Sequence, residues 1–112
     1  MFFAAGVILL FGCASVQLIT PSQADVERVQ TKYPDYSLTQ LNRGKQLYEN
    51  NCGACHGLKD PASRSEEKWK KVVPEMVGKV NKKTTVLNQQ DQEDILKYVI
   101  TMSSAAPSSP TK

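Results

Sequence analysis

Cys52-Gly53-Ala54-Cys55-His56 is the stretch that decides how the rest of this chain folds. Two thiols stand two residues apart, with an imidazole directly after the second. A disulfide between them would close a tiny loop and restrain little of the chain, so their value lies in local chemistry. Three chemistries use such a pair. A redox dithiol of the thioredoxin kind wants a βαβ setting, and none surrounds this one. A zinc site needs four ligands, yet His56 is the only histidine and the third cysteine, Cys13, sits in a leading apolar segment. The third chemistry is covalent haem attachment, whose pattern is C-x-x-C-H. Cys52 and Cys55 would add across two vinyl groups of one porphyrin, and His56 would reach the iron from one face.

Composition then narrows the other iron ligand. With one histidine, a second imidazole from the same chain is excluded. Met1 lies in the leading segment, which leaves Met76 and Met102 as sulfur donors. Both fall on apolar helical faces, where methionine ordinarily fills a core. Met76 is preferred, because Met102 is the last periodic residue before the tail. A lysine, a water or an open position are the remaining options.

Outward from the motif the pattern is helical throughout. A first helix starts after Ser37, which can cap free amides, with Gln40 placed to close a capping box. Leu38, Leu41, Lys45 and Tyr48 share one side, beside Gly44 and Leu47. Gly44 costs helix stability relative to alanine, so it points to close approach by another backbone. A second helix begins at Ser65, with Glu66 and Glu67 at its positive end. Trp69, Val72, Val73, Met76, Val77 and Val80 form its apolar face. Pro74 within that run is expected to kink it or start a fresh turn. The last helix opens with Asn88 as cap and Asp91 three residues on, and buries Ile95, Leu96, Tyr98, Val99 and Met102. Ahead of these, Pro21 to Tyr36 reads as a polar tether holding one short helix, with Ser22 and Asp25 at capping-box spacing and Val26, Val29 and Tyr33 on one face. No stretch alternates with a period of two, so the domain is expected to be all-α, with three to four helices around one covalent haem.

The chain has 112 residues and a net charge of +3. Met1 to Gly12 is uncharged and apolar, with the length of a signal-peptide core. It ends in Leu10-Phe11-Gly12-Cys13, which resembles a bacterial lipobox, so that Cys13 would be lipidated and become the mature amino terminus. An uncleaved transmembrane helix over residues 1–20 is the competing reading. Either places the folded part outside the cytoplasm, tethered to a membrane. The expected organisation is a signal or anchor over 1–12, a lipidated start and tether over 13–36, the haem domain over 37–103 and a disordered Ser- and Pro-rich tail over 104–112. Roughly seventy residues is a size at which a core usually needs a cofactor or staple. Lys68, Lys70, Lys71, Lys79, Lys82 and Lys83 cluster. They read either as a solvated helix face or as a docking patch for an acidic redox partner. Nucleic acid is disfavoured, since no binding motif accompanies them.

These residues resemble a class I cytochrome c from about residue 38 to 102. In that family a glycine and an aromatic on the first helix cross the last helix just before the haem motif. Gly44 and Tyr48, with Ile95 and Tyr98, occupy the matching places. Class I members usually carry the axial methionine in a long loop before the final helix. Here that stretch is shortened, and the chain looks more like a compact single-haem subgroup with a W-x-x-x-V-x-x-M pattern, matched by Trp69, Val73 and Met76. The resemblance implies that Trp69 packs on the haem or serves as a plain core aromatic. It also implies that Pro61 marks the neighbourhood supplying a carbonyl to the ligand histidine, an outer bond that would orient the ring.

What the resemblance implies is one-electron transfer in an extracytoplasmic chain, with redox proteins, among them a larger membrane complex, as partners. Two other readings accompany it: a haem subunit docked on a dehydrogenase, and a haem enzyme or gas sensor with an open iron position.

Overall fold

The computed structural model describes residues 18–52, 58–83 and 86–105. Helix α2, Leu38–Asn51, starts where Ser37 turns extended backbone into helix and its Oγ accepts the Gln40 amide at 3.1 Å. Leu41, Gly44 and Tyr48 are its buried residues, and Cys52, at its C-cap, continues the same stripe one turn further. The helix ends as the Asn51 side-chain amide donates to the Leu47 carbonyl.

Helix α3, Glu66–Lys83, is capped by Ser65, whose Oγ accepts the Lys68 amide at 3.1 Å. Acidic Glu66 and Glu67 sit in its first turn and Lys82 and Lys83 in its last, complementing the helix dipole. Trp69, Val73 and Val77 are buried. Of the two outcomes expected at Pro74, the fresh turn does not occur: α3 runs through it as one helix, and Pro74 is exposed. The ring there points away from the core, so only a backbone bond is lost and packing is kept.

Helix α4, Gln89–Ser103, opens with a full capping box, in which the Asp91 amide donates to Asn88 Oδ1 and the Asn88 amide to the Asp91 carboxylate. Asn81 closes the preceding connection by bonding both the amide and the carbonyl of buried Leu87. α4 is the central element, packed by α2, by α3, by the short helix α1 (Gln23–Arg28) and by a 3₁₀ turn at Pro61–Ser63. That is why its second half is buried on nearly every side, from Tyr98 to Met102.

The α2–α4 crossing occurs at Gly44. A Cβ there would collide with the Asp94 carbonyl oxygen and come within 2.7 Å of Tyr98 Cβ. One residue away, Arg43 pairs with Asp91 at 2.6 Å and with the buried Asp94, pinning the crossing from its rim. Helix α1, Gln23–Arg28, adds Val26 to the core, and Val29 follows it. Arg28 Nη2 donates to the Thr101 carbonyl at 2.8 Å, satisfying an end of α4. Among the described residues every regular element is helical, and no helix is long and apolar enough to cross a membrane. Residues 1–17, and with them the lipidation candidate Cys13, lie outside the described residues, as does the tail from residue 106.

Candidate functional site

The stripe that buries α2 against α4 delivers Cys52, 7 % exposed, to the floor of a cleft of about 400 Å³. α3 forms the wall, contributing Lys68, Val72, Glu75, Met76 and Lys79, while Lys59 and Arg64 come from the segment between the two helices. Val72 and Met76 are half-buried and pack against the core. The cleft therefore combines a thiol, a thioether, an apolar patch and a cationic rim. Cys55 and His56 lie outside the described residues.

Of the two candidate sulfur ligands, the structure brings Met76 into the cleft with Cys52. Met102 is 4 % exposed in the core at the last turn of α4, beside the Thr101 carbonyl that Arg28 caps. Trp69 is fully buried behind the wall. Its indole N–H donates to the Pro61 carbonyl at 2.8 Å, and its ring meets Tyr48 edge-on at 6.1 Å. The guanidinium of Arg64 lies 5.0 Å over that ring. So Trp69 shapes the cleft through Arg64, and the Pro61 carbonyl has the indole as its donor.

Tyr48 does more than cross α4. Its hydroxyl donates to the Lys59 carbonyl at 2.6 Å and accepts the Lys59 amide at 3.2 Å, fastening the chain just past the C-x-x-C-H stretch to α2. Burial pushes this phenol up to about 12, so it stays a neutral donor at ordinary pH. Neither this clamp nor the roles of Lys59 and Arg64 could be read from periodicity. Tyr48 carries the signal of a core aromatic, and the hydroxyl's partner lies eleven residues further along the chain. Arg64, directly after the Pro61–Ser63 turn, has no helical phase to place it.

The residues present fit a haem. A buried thiol stands at the floor where a thioether bond is needed, a methionine sulfur lies on the adjoining helix, and cations line the rim where a porphyrin's carboxylates need partners. The sequence matches the Cytochrome C1 family over residues 28–102. No curated protein and no solved structure matches the chain. With an all-helical fold around this cleft and a family match over most of its length, the chain belongs to the cytochrome C1 family and is an electron carrier with covalent haem c.

Proposed function

We propose that the chain is a one-electron shuttle whose haem is attached through Cys52 and Cys55 and whose iron is held by His56 and Met76. It works outside the cytoplasm, kept at a membrane by lipidated Cys13 or by an uncleaved leading segment. The observation that carries this reading is that Cys52 and Met76, twenty-four residues apart in sequence, line one cleft. Bound haem supplies a ferric–ferrous couple, and methionine–histidine ligation raises its potential. The rest is the work of the chain. α2 and α3, braced on α4, hold the sulfurs of Cys52 and Met76 in place, so the Met76 ligand need not move when the charge changes. Tyr48 ties Lys59 down, and Arg64 is steadied on Trp69 at the rim. The tether keeps the domain near its redox partners, which include a larger membrane complex.

The test is the ferric absorption spectrum of the full chain, expressed with haem-maturation machinery, beside that of Met76→Ala. The parent is expected to show the weak far-red band of sulfur bonded to ferric haem iron, and the variant to lose it. Retention of the band in the variant would transfer the role to Met102. Absence of the band in the parent would favour an open iron position and a sensor or enzyme.

A further inference from the structure

We propose that residues 18–36 are a docked arm of the folded domain, and that the arm holds the domain close against the lipid surface to which the leading segment attaches it. This inference rests on the reading of that segment as the membrane attachment, and it fixes how far the domain can travel from the bilayer.

The arm is fastened to the helices in several places. Val26 and Val29 are buried in the core. Arg28, itself paired with Asp25, donates to the Thr101 carbonyl and to Ser104 Oγ at the end of α4. Further along, Lys32 pairs with Glu66 in the first turn of α3. The ammonium of Lys97 lies 5.2 Å over the Tyr33 ring and 5.8 Å over that of Tyr36, and these two rings meet edge-on at 5.4 Å. Tyr36 is buried, so the last residue before the Ser37 cap of α2 is held as well. A segment that buries this much apolar surface is part of the core and not a free strap.

Packing begins at the start of the arm. Leu18 lies against the core, and Pro21 is buried. Whether Cys13 is lipidated or the leading segment stays as an anchor, no more than four residues, Ala14 to Gln17, separate the attachment from Leu18. The chain from Cys13 to Leu18 can span at most about 18 Å. A free tether running on to Ser37 would reach about 85 Å when extended. The difference decides how the carrier works. A domain held this closely moves only as its anchor diffuses, so a partner must meet it in the plane of the membrane, with its own redox centre near the lipid.

Ile19 fits a lipid surface at this point. It is one of two exposed large apolar residues among those described, and apolar side chains at a membrane interface enter the lipid. The other, Val86, precedes α4, whereas the arm contacts α4 in its second half and just past its end. None of the residues lining the cleft belongs to the arm, so docking of the arm leaves Cys52 and Met76 accessible from the cleft.

The experiment uses the full haem-loaded chain, reconstituted through its leading segment into phosphatidylglycerol vesicles that carry a headgroup-labelled fluorescent lipid. Energy transfer to haem quenches the fluorophore, and the quenching reports how near the domain lies to the bilayer. Twenty Gly and Ser residues inserted between Gln17 and Leu18 add a coil of about 25 Å, and quenching is expected to fall by about half or more. The same insert between Tyr36 and Ser37 should leave quenching at the parental level, because the arm and α2 are both docked on either side of it. Lengthening a loop costs little closure entropy, so docking should survive this second insertion. Amide exchange gives a check that needs no vesicle. The Tyr33 amide, which donates to the Val29 carbonyl at 2.8 Å, should exchange at least about tenfold more slowly than in an unfolded chain.

An equal loss of quenching from the two insertions overturns the proposal, since residues 18–36 would then be a free tether. Exchange of the Tyr33 amide at the unfolded rate overturns it as well. If the chain does not enter vesicles at all while that amide stays protected, the membrane reading itself fails and takes this proposal with it. That result is distinct from an equal loss of quenching, in which attachment stands and the arm alone fails.

Discussion

Gly44 shows what a single missing methyl group does. In an isolated helix alanine would be favoured there by about 1 kcal/mol. In this molecule a Cβ would strike the Asp94 carbonyl and Tyr98 Cβ. Both are held by α4, and one lies on its backbone, so relief requires the helices to part. Overpacking of this kind costs typically about 1–3 kcal/mol, more than the propensity gain. Gly44→Ala is therefore expected to destabilise the haem-loaded chain by about that amount, measured as a lowered guanidinium midpoint with unchanged slope. A variant as stable as the parent would mean that the crossing is looser than its geometry implies. The same contact positions the site, because Tyr48 and Cys52 follow Gly44 along one stripe of α2.

Helices here are delimited by local chemistry and held by tertiary packing. Ser37, Ser65 and Asn88 each satisfy an amide at a helix start, a contribution of about 1 kcal/mol apiece. α3 breaks one local rule. Pro74 cannot donate to the carbonyl four residues before it, yet the helix persists because Trp69, Val73 and Val77 bury the opposite side. A proline inside a helix costs about 3 kcal/mol relative to alanine, while its stiffening of the unfolded chain returns up to about 1. Pro74→Ala should thus raise stability by about 2 kcal/mol. Because Pro74 is exposed and does not line the cleft, the ferric spectrum should stay unchanged. A gain in stability accompanied by a changed spectrum would show instead that Pro74 sets the position of Met76.

Across the whole molecule, ion pairs join the elements and make stability depend on pH. Burial alone would raise Asp25, but its bonds to Arg28 and Ser22 outweigh that and hold it below the usual carboxylate range. The bond from Lys32 lowers Glu66, and the Asn88 amide, aided by Arg43, lowers Asp91. These groups tie α1 to itself and through Arg28 to α4, the segment after α1 to α3, and α2 to α4. A carboxylate whose folded value is depressed contributes fully above its unfolded value, near 4, and the contribution fades as pH falls through the folded value. On the alkaline side, burial raises Tyr36, Tyr48 and Tyr98, Tyr48 to about 12. Their contribution is intact below about 10 and is lost as pH climbs beyond it. Urea midpoints should therefore hold level between about pH 6 and 9 and fall at both ends. Asp91→Asn combined with Glu66→Gln should make the acid limb shallower. An acid limb identical in that variant would remove these pairs from the account.

By itself the sequence determined what depends on neighbours a few residues apart. The C-x-x-C-H stretch, the caps at Ser37, Ser65 and Asn88, the apolar stripes and the glycine reserved for a crossing are all local signals, because the helical repeat brings such residues together whatever the rest of the chain does. Tertiary structure decided the remainder. It set Met76 beside Cys52 and put Met102 in the core; it carried α3 through Pro74; it gave the Tyr48 hydroxyl to Lys59 and drew Arg28 to the end of α4. Contacts of that kind join residues with no fixed spacing along the chain, so they come into being only when the helices pack on α4.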